Sequence, residues 1–376
     1  MTDFPLSHRL MQRGAQFLGS DYAILCGAMS WVSERTLVAA ISNAGGFGVI
    51  ACGAMTPELL DAEIAGTKAL ATKPFVGNLI TMHPMLFDLI AVCAKHKVSH
   101  VVLAGGIAPK GSIEALKEAG AKVICIPPTV AVAKKYLRSG ADALVIEGME
   151  AGGHIGPVST SVLAQEILPP LAAEVPIFVA GGIGHGGLIA GYLEMGAAGV
   201  QLGTRFVCAT ECIAHPNFKK AFIRASARDA ITSVQIDPRL PVIPVRALKN
   251  REMESFAAKQ REVAQLLDEQ QVEMGEAQLQ IEPYWAGGLG RAGARHRPRG
   301  GLGVAGARGP GIHRAFLEYA QARGFHIDPA GVRHPRDKAR VERSVSSTRD
   351  DCFAGETLRD LDHARTHAYH WCACEY

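Results

Sequence analysis

The chain has 376 residues, enough for one large domain with an appendage or for two domains. Hydrophobic residues make up 48% and charged residues 20%, so a sizeable core can form; aromatics at 6% beside 41 glycines suit α/β layers with many tight strand-to-helix turns better than a β-sandwich. A formal charge of +3 leaves no footprint for nucleic acid, no apolar run reaches the roughly 18 residues of a membrane span, and the first ten residues lack the apolar core of a signal peptide, so neither nucleic acid nor membrane is expected as a partner.

In chain order, Leu6 to Leu18 has helical spacing and Tyr22 to Ala28 reads as the first strand. Ser33 is placed to cap the helix that begins at Glu34 and runs to Asn43. Phe47 to Ala51 is the second strand. The cluster Gly45-Gly46-Phe47-Gly48 precedes a strand instead of following one, which is the wrong context for a dinucleotide loop. Thr56-Pro57-Glu58 opens the next helix with proline at its first position. Pro74 to Ile80 is a third strand, and a helix near Met85 to Lys95 leads to a fourth, Val98 to Ala104. Lys122 to Ile126, Ala143 to Ile146, Pro176 to Ala180 and Gly199 to Leu202 complete eight. Eight short buried strands spaced by about 20 to 30 residues, with helical segments between them, predict an α/β fold, a (β/α)8 TIM barrel; an open doubly wound sheet uses the same units.

The sixth strand ends at Glu147 and runs into a loop holding Gly148, Gly152, Gly153 and Gly156 around one imidazole, His154. Glycines let a backbone come close to a flat or phosphorylated ligand, and the C-terminal ends of barrel strands are where such folds carry their chemistry. The seventh and eighth strands close on Gly181-Gly182 and Gly203-Thr204, the two loops that bind phosphate in barrels of this kind. After Cys208 to Lys220 the run Ala225 to Leu248 is irregular, with Pro238, Pro241 and Pro244. Asn250 to Gln280 reads as one long amphipathic helix. The expected division is residues 1–215 for the barrel, 216–287 for a small helical extension and 288–376 for an atypical tail.

From Gly288 the composition changes. Before it lie 13 Lys and 11 Arg, after it 1 Lys and 14 Arg, and half of the histidines follow it. Such a Gly/Ala/Arg/Pro run cannot bury a core and is expected to be disordered; a frameshift or fusion would produce the same bias. The segment Arg314 to Asp328 with Asp337 to Arg343 resembles a fragment of an insertion-sequence transposase. Only Glu342 of that family's acidic triad has a counterpart, so no transposase activity is expected. His367, His370, Cys372 and Cys374 do not match the usual zinc spacings, and no metal site is assigned. The nine cysteines lie scattered without a Cys-x-x-Cys pair and read as thiols of a reduced, cytoplasmic protein.

Five motifs in order, Ala28-Met-Ser-Trp-Val-Ser33, Ala44-Gly-Gly-Phe-Gly48, Glu147-Gly-Met-Glu-Ala-Gly-Gly-His154-Ile-Gly156, Ala180-Gly-Gly-Ile183 and Gln201-Leu-Gly-Thr-Arg-Phe206, resemble the nitronate monooxygenase family, formerly the 2-nitropropane dioxygenases. The flavin-dependent enoyl-acyl-carrier-protein reductases share this framework. The resemblance covers residues 21 to 285. It implies an FMN-binding barrel that oxidises alkyl nitronates with dioxygen to a carbonyl compound and nitrite. His154 would be the catalytic proton-handling residue. Ala28, Met29 and Ser30 would flank the flavin ring, and Asn78 and Lys122, each at a strand end, would reach its polar edge. Ala151, Gly152 and Gln201 would complete the cradle, with Gly181, Gly182, Gly203 and Thr204 at the phosphate. Two other readings stay open: a reductase passing hydride from NAD(P)H through FMN to an enoyl thioester or quinone, and an inactive fusion product.

Overall fold

The computed structural model describes residues 5 to 240 and 242 to 285. The basic tail, the transposase-like segment with Glu342 and the His367 to Cys374 cluster lie outside the described residues.

A leading helix α1 (Pro5–Leu18) is followed by β1 (Ile24–Cys26), α2 (Arg35–Asn43), β2 (Gly48–Ala51), α3 (Pro57–Leu70), β3 (Phe75–Ile80), α4 (Leu86–Lys95) and β4 (His100–Ala104). The alternation continues through α5 (Ser112–Glu118), β5 (Lys122–Cys125), α6 (Val130–Arg138) and β6 (Ala143–Glu147). A two-residue strand, β7 (Gly153–His154), precedes α7 (Thr160–Leu171), β8 (Ile177–Ala180), α8 (Gly186–Glu194), β9 (Gly199–Leu202) and α9 (Thr204–Val207). Beyond these come α10 (Pro216–Arg224), β10 (Ala230–Thr232), β11 (Val245–Leu248), α11 (Arg251–Asp268) and α12 (Met274–Trp285).

Eight strands pair in the order β1-β9-β8-β6-β5-β4-β3-β2, all parallel. The ends meet through a parallel bridge between Leu25 and Phe47, where Phe47 N–H donates to Ile24 O and Cys26 N–H to Phe47 O, both at 2.9 Å. The ring is closed, and the fold is a (β/α)8 TIM barrel. The expected strands fall within a few residues of those observed, because strands buried on both faces read as short unbroken apolar runs.

Space around two glycines shows which strand face looks outward. A Cβ on Gly48 would stand 2.3 Å from the Val38 carbonyl of α2, and one on Gly77 would meet the Sγ atoms of Cys52 and Cys93, the latter on α4. Their neighbours Phe47, Val49 and Asn78 therefore face the barrel interior. Parallel register carries that face around the ring to His100 and Lys122, to Glu147, and to Ala180 and Gln201.

The N-terminal end of the barrel is stoppered by α1. The Phe17 ring lies 5.2 Å from His100 and 6.3 Å from Phe178, and its carbonyl accepts from His100 Nε2 and Lys122 Nζ, both at 2.9 Å. A second, smaller core of Leu240, Val242, Val245, Ala247, Met253, Phe256, Val263, Ala277 and Ile281 joins β10, β11, α11 and α12. Its antiparallel sheet, β10-β11-β7, borrows its third strand from the loop after β6.

Three local expectations are corrected. Ser33 does not cap α2: its hydroxyl is buried, donates to Gly27 O at 2.8 Å and accepts from Met29 N at 3.1 Å, while Glu34 caps the helix by accepting from Thr36 N and Leu37 N. The single helix over 250–280 is two, broken at Gln270, whose φ is 56°. The run Ala225 to Leu248, expected to be irregular, contains the strands β10 and β11, and ahead of it α10 contributes Phe222 to the barrel core.

Candidate functional site

The mouth of the barrel is built from strand ends brought together by register. Glu147 pairs with Ala180, Ala180 with Gln201, and Gln201 with Leu25, so one interior row spans β6, β8, β9 and β1. Asn78 is buried on the same face two residues before the end of β3. Asn78, Glu147 and Gln201 thus bring polar side chains into the C-terminal half of an otherwise apolar interior.

The loop after β8 folds onto the loop after β6. Gly181 has φ of 100°, which a residue with a side chain rarely adopts, and a Cβ there would lie 2.8 Å from Thr160 Oγ1, 3.1 Å from Ala151 N and 3.3 Å from Gly148 O. Gly182 follows with φ of 68°. The ends of β1 and β9 meet as closely: Gly27 N donates to Leu202 O at 2.8 Å, and a Cβ on Gly27 would stand 3.6 Å from Gly203 Cα. Ala28, Met29 and Ser30 leave this junction in a loop pinned by Ser33. Met29 is fully buried there, and Trp31 takes φ of 62°, a strained conformation for a bulky side chain. Strain held in place by a buried staple beside a barrel mouth is a mark of a functional loop that sequence periodicity does not reveal.

His154 stands on β7, paired with Val245 of β11, and Ile155 N donates to Pro244 O at 3.0 Å. Upstream, Gly148 N donates to Ala180 O, and Glu150 accepts from both Thr160 N and Thr160 Oγ1 at 2.8 Å, tying the loop to the first residue of α7. Buried Arg246 donates from Nε to Met149 O at 2.7 Å. The loop expected from sequence is therefore a braced segment. Burial lowers the His154 pKa to about 4, so its imidazole is neutral near pH 7; burial raises the Glu147 carboxyl to about 7. Burial favours the uncharged form of each group, leaving the imidazole neutral and the carboxyl titrating near neutrality, an arrangement found where protons are moved. Glu147 was absent from the expected site. Its position as the last residue of a buried strand, on the interior face, was the available signal.

The structure brings Ala28, Met29, Ser30, Asn78, Ala151, Gly152, His154, Gly181, Gly182, Gln201, Gly203 and Thr204 to the C-terminal end of the barrel. It does not bring Lys122 there. Lys122 is the first residue of β5, so it lies at the opposite end, where its ammonium sits 5.0 Å from the centre of the Phe17 ring. The placement of Lys122 at a flavin edge is corrected on this geometry.

The donor set suits a flavin phosphate. Thr204 Oγ1 is buried and makes no hydrogen bond with any described residue, as is also true of the His154 Nε2 atom. A buried hydroxyl left unsatisfied costs free energy, and a phosphate oxygen would satisfy it. The backbone N–H groups of Gly181 and Gly182 lie in the neighbouring loop, unshielded by side chains of their own. Among the described residues no cluster of His, Cys, Asp or Glu could hold a metal ion, and no helix is long and apolar enough to cross a membrane.

A family model described as nitronate monooxygenase matches residues 12–96 and 86–297. The chain is 33% identical over 258 residues to a (3aS,4S,5R,7aS)-5-hydroxy-7a-methyl-1-oxo-octahydro-1H-indene-4-carboxyl-CoA dehydrogenase of Mycobacterium tuberculosis, covering 67% of this chain and 70% of that one. A nitronate monooxygenase of Paraburkholderia phytofirmans is 29% identical over 268 residues, covering 59% of this chain and 73% of its own. Among solved structures, FabK from Thermotoga maritima superposes with a TM-score of 0.61 at 35% identity, covering 71% of this chain and 86% of FabK.

Proposed function

The chain belongs to the nitronate monooxygenase family, a family of flavin-dependent oxidoreductases, and from that premise we propose that it uses FMN to oxidise alkyl nitronates with dioxygen, giving a carbonyl compound and nitrite. The observation that carries this reading is a neutral, braced imidazole at the mouth of the barrel, beside a glycine-lined cradle whose buried Thr204 hydroxyl awaits an acceptor. Bound FMN would supply the electron acceptor and the route to dioxygen.

The chain's own residues hold and orient. Gly181, Gly182, Gly203 and Thr204 take the phosphate, while Ala28, Met29, Ser30, Ala151, Gly152, Asn78 and Gln201 line the ring. His154 meets the substrate. With burial holding its pKa near 4 it is a poor base towards a neutral nitroalkane but a good hydrogen-bond donor towards an anion. An anion bound against it favours the imidazolium, so substrate binding raises its basicity and draws in a proton. This favours a preformed nitronate as substrate over its neutral acid. The buried, protonated Glu147 adds no competing negative charge below about pH 7.

A second reading is favoured by the names of two relatives. One is a carboxyl-CoA dehydrogenase and another is FabK, which agrees with an NAD(P)H-dependent flavin enzyme acting on acyl thioesters. The two readings part under anaerobic mixing of the purified flavin-loaded protein. Bleaching by propionate nitronate, with nitrite formed once air is admitted, is the expected outcome. Bleaching by NADH or NADPH together with indifference to nitronate overturns it in favour of the reductase. Colourless protein that takes up no added FMN overturns both.

A further inference from the structure

We propose that Arg246 is a positioning residue for His154: a cation from outside the barrel that locks the loop carrying the imidazole. The inference rests on the reading of His154 as the group that meets substrate, but its geometry stands alone.

Arg246 lies on β11, opposite Gly153 in the antiparallel pair, with Val245 opposite His154. From there its guanidinium turns back across the loop. Nε donates to Met149 O at 2.7 Å and Nη1 to Ala230 O at 3.2 Å, so the side chain joins the start of the loop to the edge strand β10 while the backbone of the same residue pairs with the loop's end at Gly153. Glu150, next to Met149, lies close enough for its charge to act on Arg246 and is itself bound to Thr160 at the start of α7. Both ends of segment 149–154 are thereby held by β11, and its middle by α7.

Packing alone does not explain an arginine here. Arg246 is 8% exposed, and burial works against its charge. An aliphatic residue would fill the same volume without desolvating a cation. What an aliphatic residue lacks is a planar set of donors able to hold carbonyls from two separate segments at once. The loop needs such a device, because Gly148, Gly152, Gly153 and Gly156 leave its backbone with many alternative conformations. Pairing fixes β7 at Gly153 and His154 only, and the guanidinium extends that hold four residues upstream. The phosphate-side residues Gly181, Gly182, Gly203 and Thr204 hang from β8 and β9, outside the clamped segment, so loosening it would disturb the imidazole, and Ala151 and Gly152 beside it, more than the hold on the phosphate.

The test compares full-length wild type, Arg246→Lys and Arg246→Ala by flavin content, steady-state kinetics on propionate nitronate, and hydrogen exchange of peptides covering residues 149 to 155. Arg246→Ala is expected to keep its flavin and lose about 10- to 100-fold in kcat with KM changed less than about threefold, and exchange should quicken in 149–155 while β8 and β9 stay protected. Millimolar guanidinium should restore part of the lost kcat in Arg246→Ala and none in wild type. Arg246→Lys, which keeps the charge but reaches one carbonyl at a time, should fall between. If the alanine variant does not fold, the lysine variant decides by the same readouts. Wild-type exchange and kcat in the folded variant, or a loss of kcat that only tracks lost flavin and does not respond to guanidinium, overturns the proposal. Should wild type itself ignore nitronates, the functional reading fails, and the exchange data still decide whether Arg246 holds the loop.

Discussion

His100 on the barrel floor and His154 at its mouth are both pushed by burial to a pKa of about 4, yet their surroundings differ in every other respect. His100 is fully engaged. Its Nε2 faces the Phe17 carbonyl, which can only accept, so Nε2 carries the proton and Nδ1 takes the Ser99 hydroxyl at 3.0 Å. The rings of Phe17 and Phe47 stand edge-on to it at 5.2 and 5.1 Å. At the mouth, the Nε2 atom of His154 and the hydroxyl of Thr204 are buried without such bonds. A shifted pKa alone therefore does not identify a reactive histidine. The contrast lies in whether the polar atoms around it are already satisfied.

Substitutions at the two ends should separate activity from stability. The largest effect is expected from His154→Ala, which should retain flavin and melt near wild type while losing about 100- to 10,000-fold in turnover; unchanged turnover would remove the imidazole from the chemistry. Phe17→Ala should do the reverse. It removes the stopper's ring from His100 and Phe178, costs about 2 kcal/mol in denaturant unfolding, and leaves flavin content intact. Thr204→Val should weaken FMN binding about tenfold with little change in melting temperature, measured by titration of the stripped protein.

Smaller effects divide the two ends by pH. Between pH 6.5 and about 4 the unfolded chain takes up protons at the two buried imidazoles that the folded chain refuses, so stability falls as pH falls through that window. Glu147 acts in the opposite direction. Between pH 4.5 and about 7 the folded chain keeps a proton that the unfolded chain has released, so stability falls as pH rises. Glu147→Gln should thus gain in melting temperature over wild type on going from pH 5 to pH 8, and a gap that stays constant would show that the carboxyl is not protonated in the folded state. Lys122→Met is expected to have the smallest effect, within about 1 kcal/mol, with no change in flavin reduction potential. A potential shift there would return the lysine to the mouth.

That misplacement shows how far the sequence could be read. The eight strands stood out because each is an apolar run bounded by turn residues, and the glycine-framed His154, Gly181-Gly182 and Gly203-Thr204 marked the functional end. For Lys122 the strand itself was recognised but not which of its ends the residue occupies; as the residue opening the run from 122, it had to lie away from the C-terminal mouth. The Ser33 assignment failed because a buried carbonyl, Gly27 O, competed for the same hydroxyl, and tertiary demand outweighed the local capping pattern. The break between α11 and α12 falls where Asp268-Glu269-Gln270-Gln271 interrupts the apolar spacing. The strand β7 had no signal at all, since a two-residue strand exists only by virtue of a partner nearly a hundred residues away.

That separation also sets a schedule for the newborn chain. Val245 follows His154 by 91 residues, so at ordinary rates of synthesis the imidazole emerges roughly 5 to 20 s before the strand that will hold it. The last two staves of the barrel, β8 and β9, are made in the meantime. The ring is therefore fully synthesised before β11 arrives to brace the imidazole, and the finished mouth is assembled after the barrel that carries it.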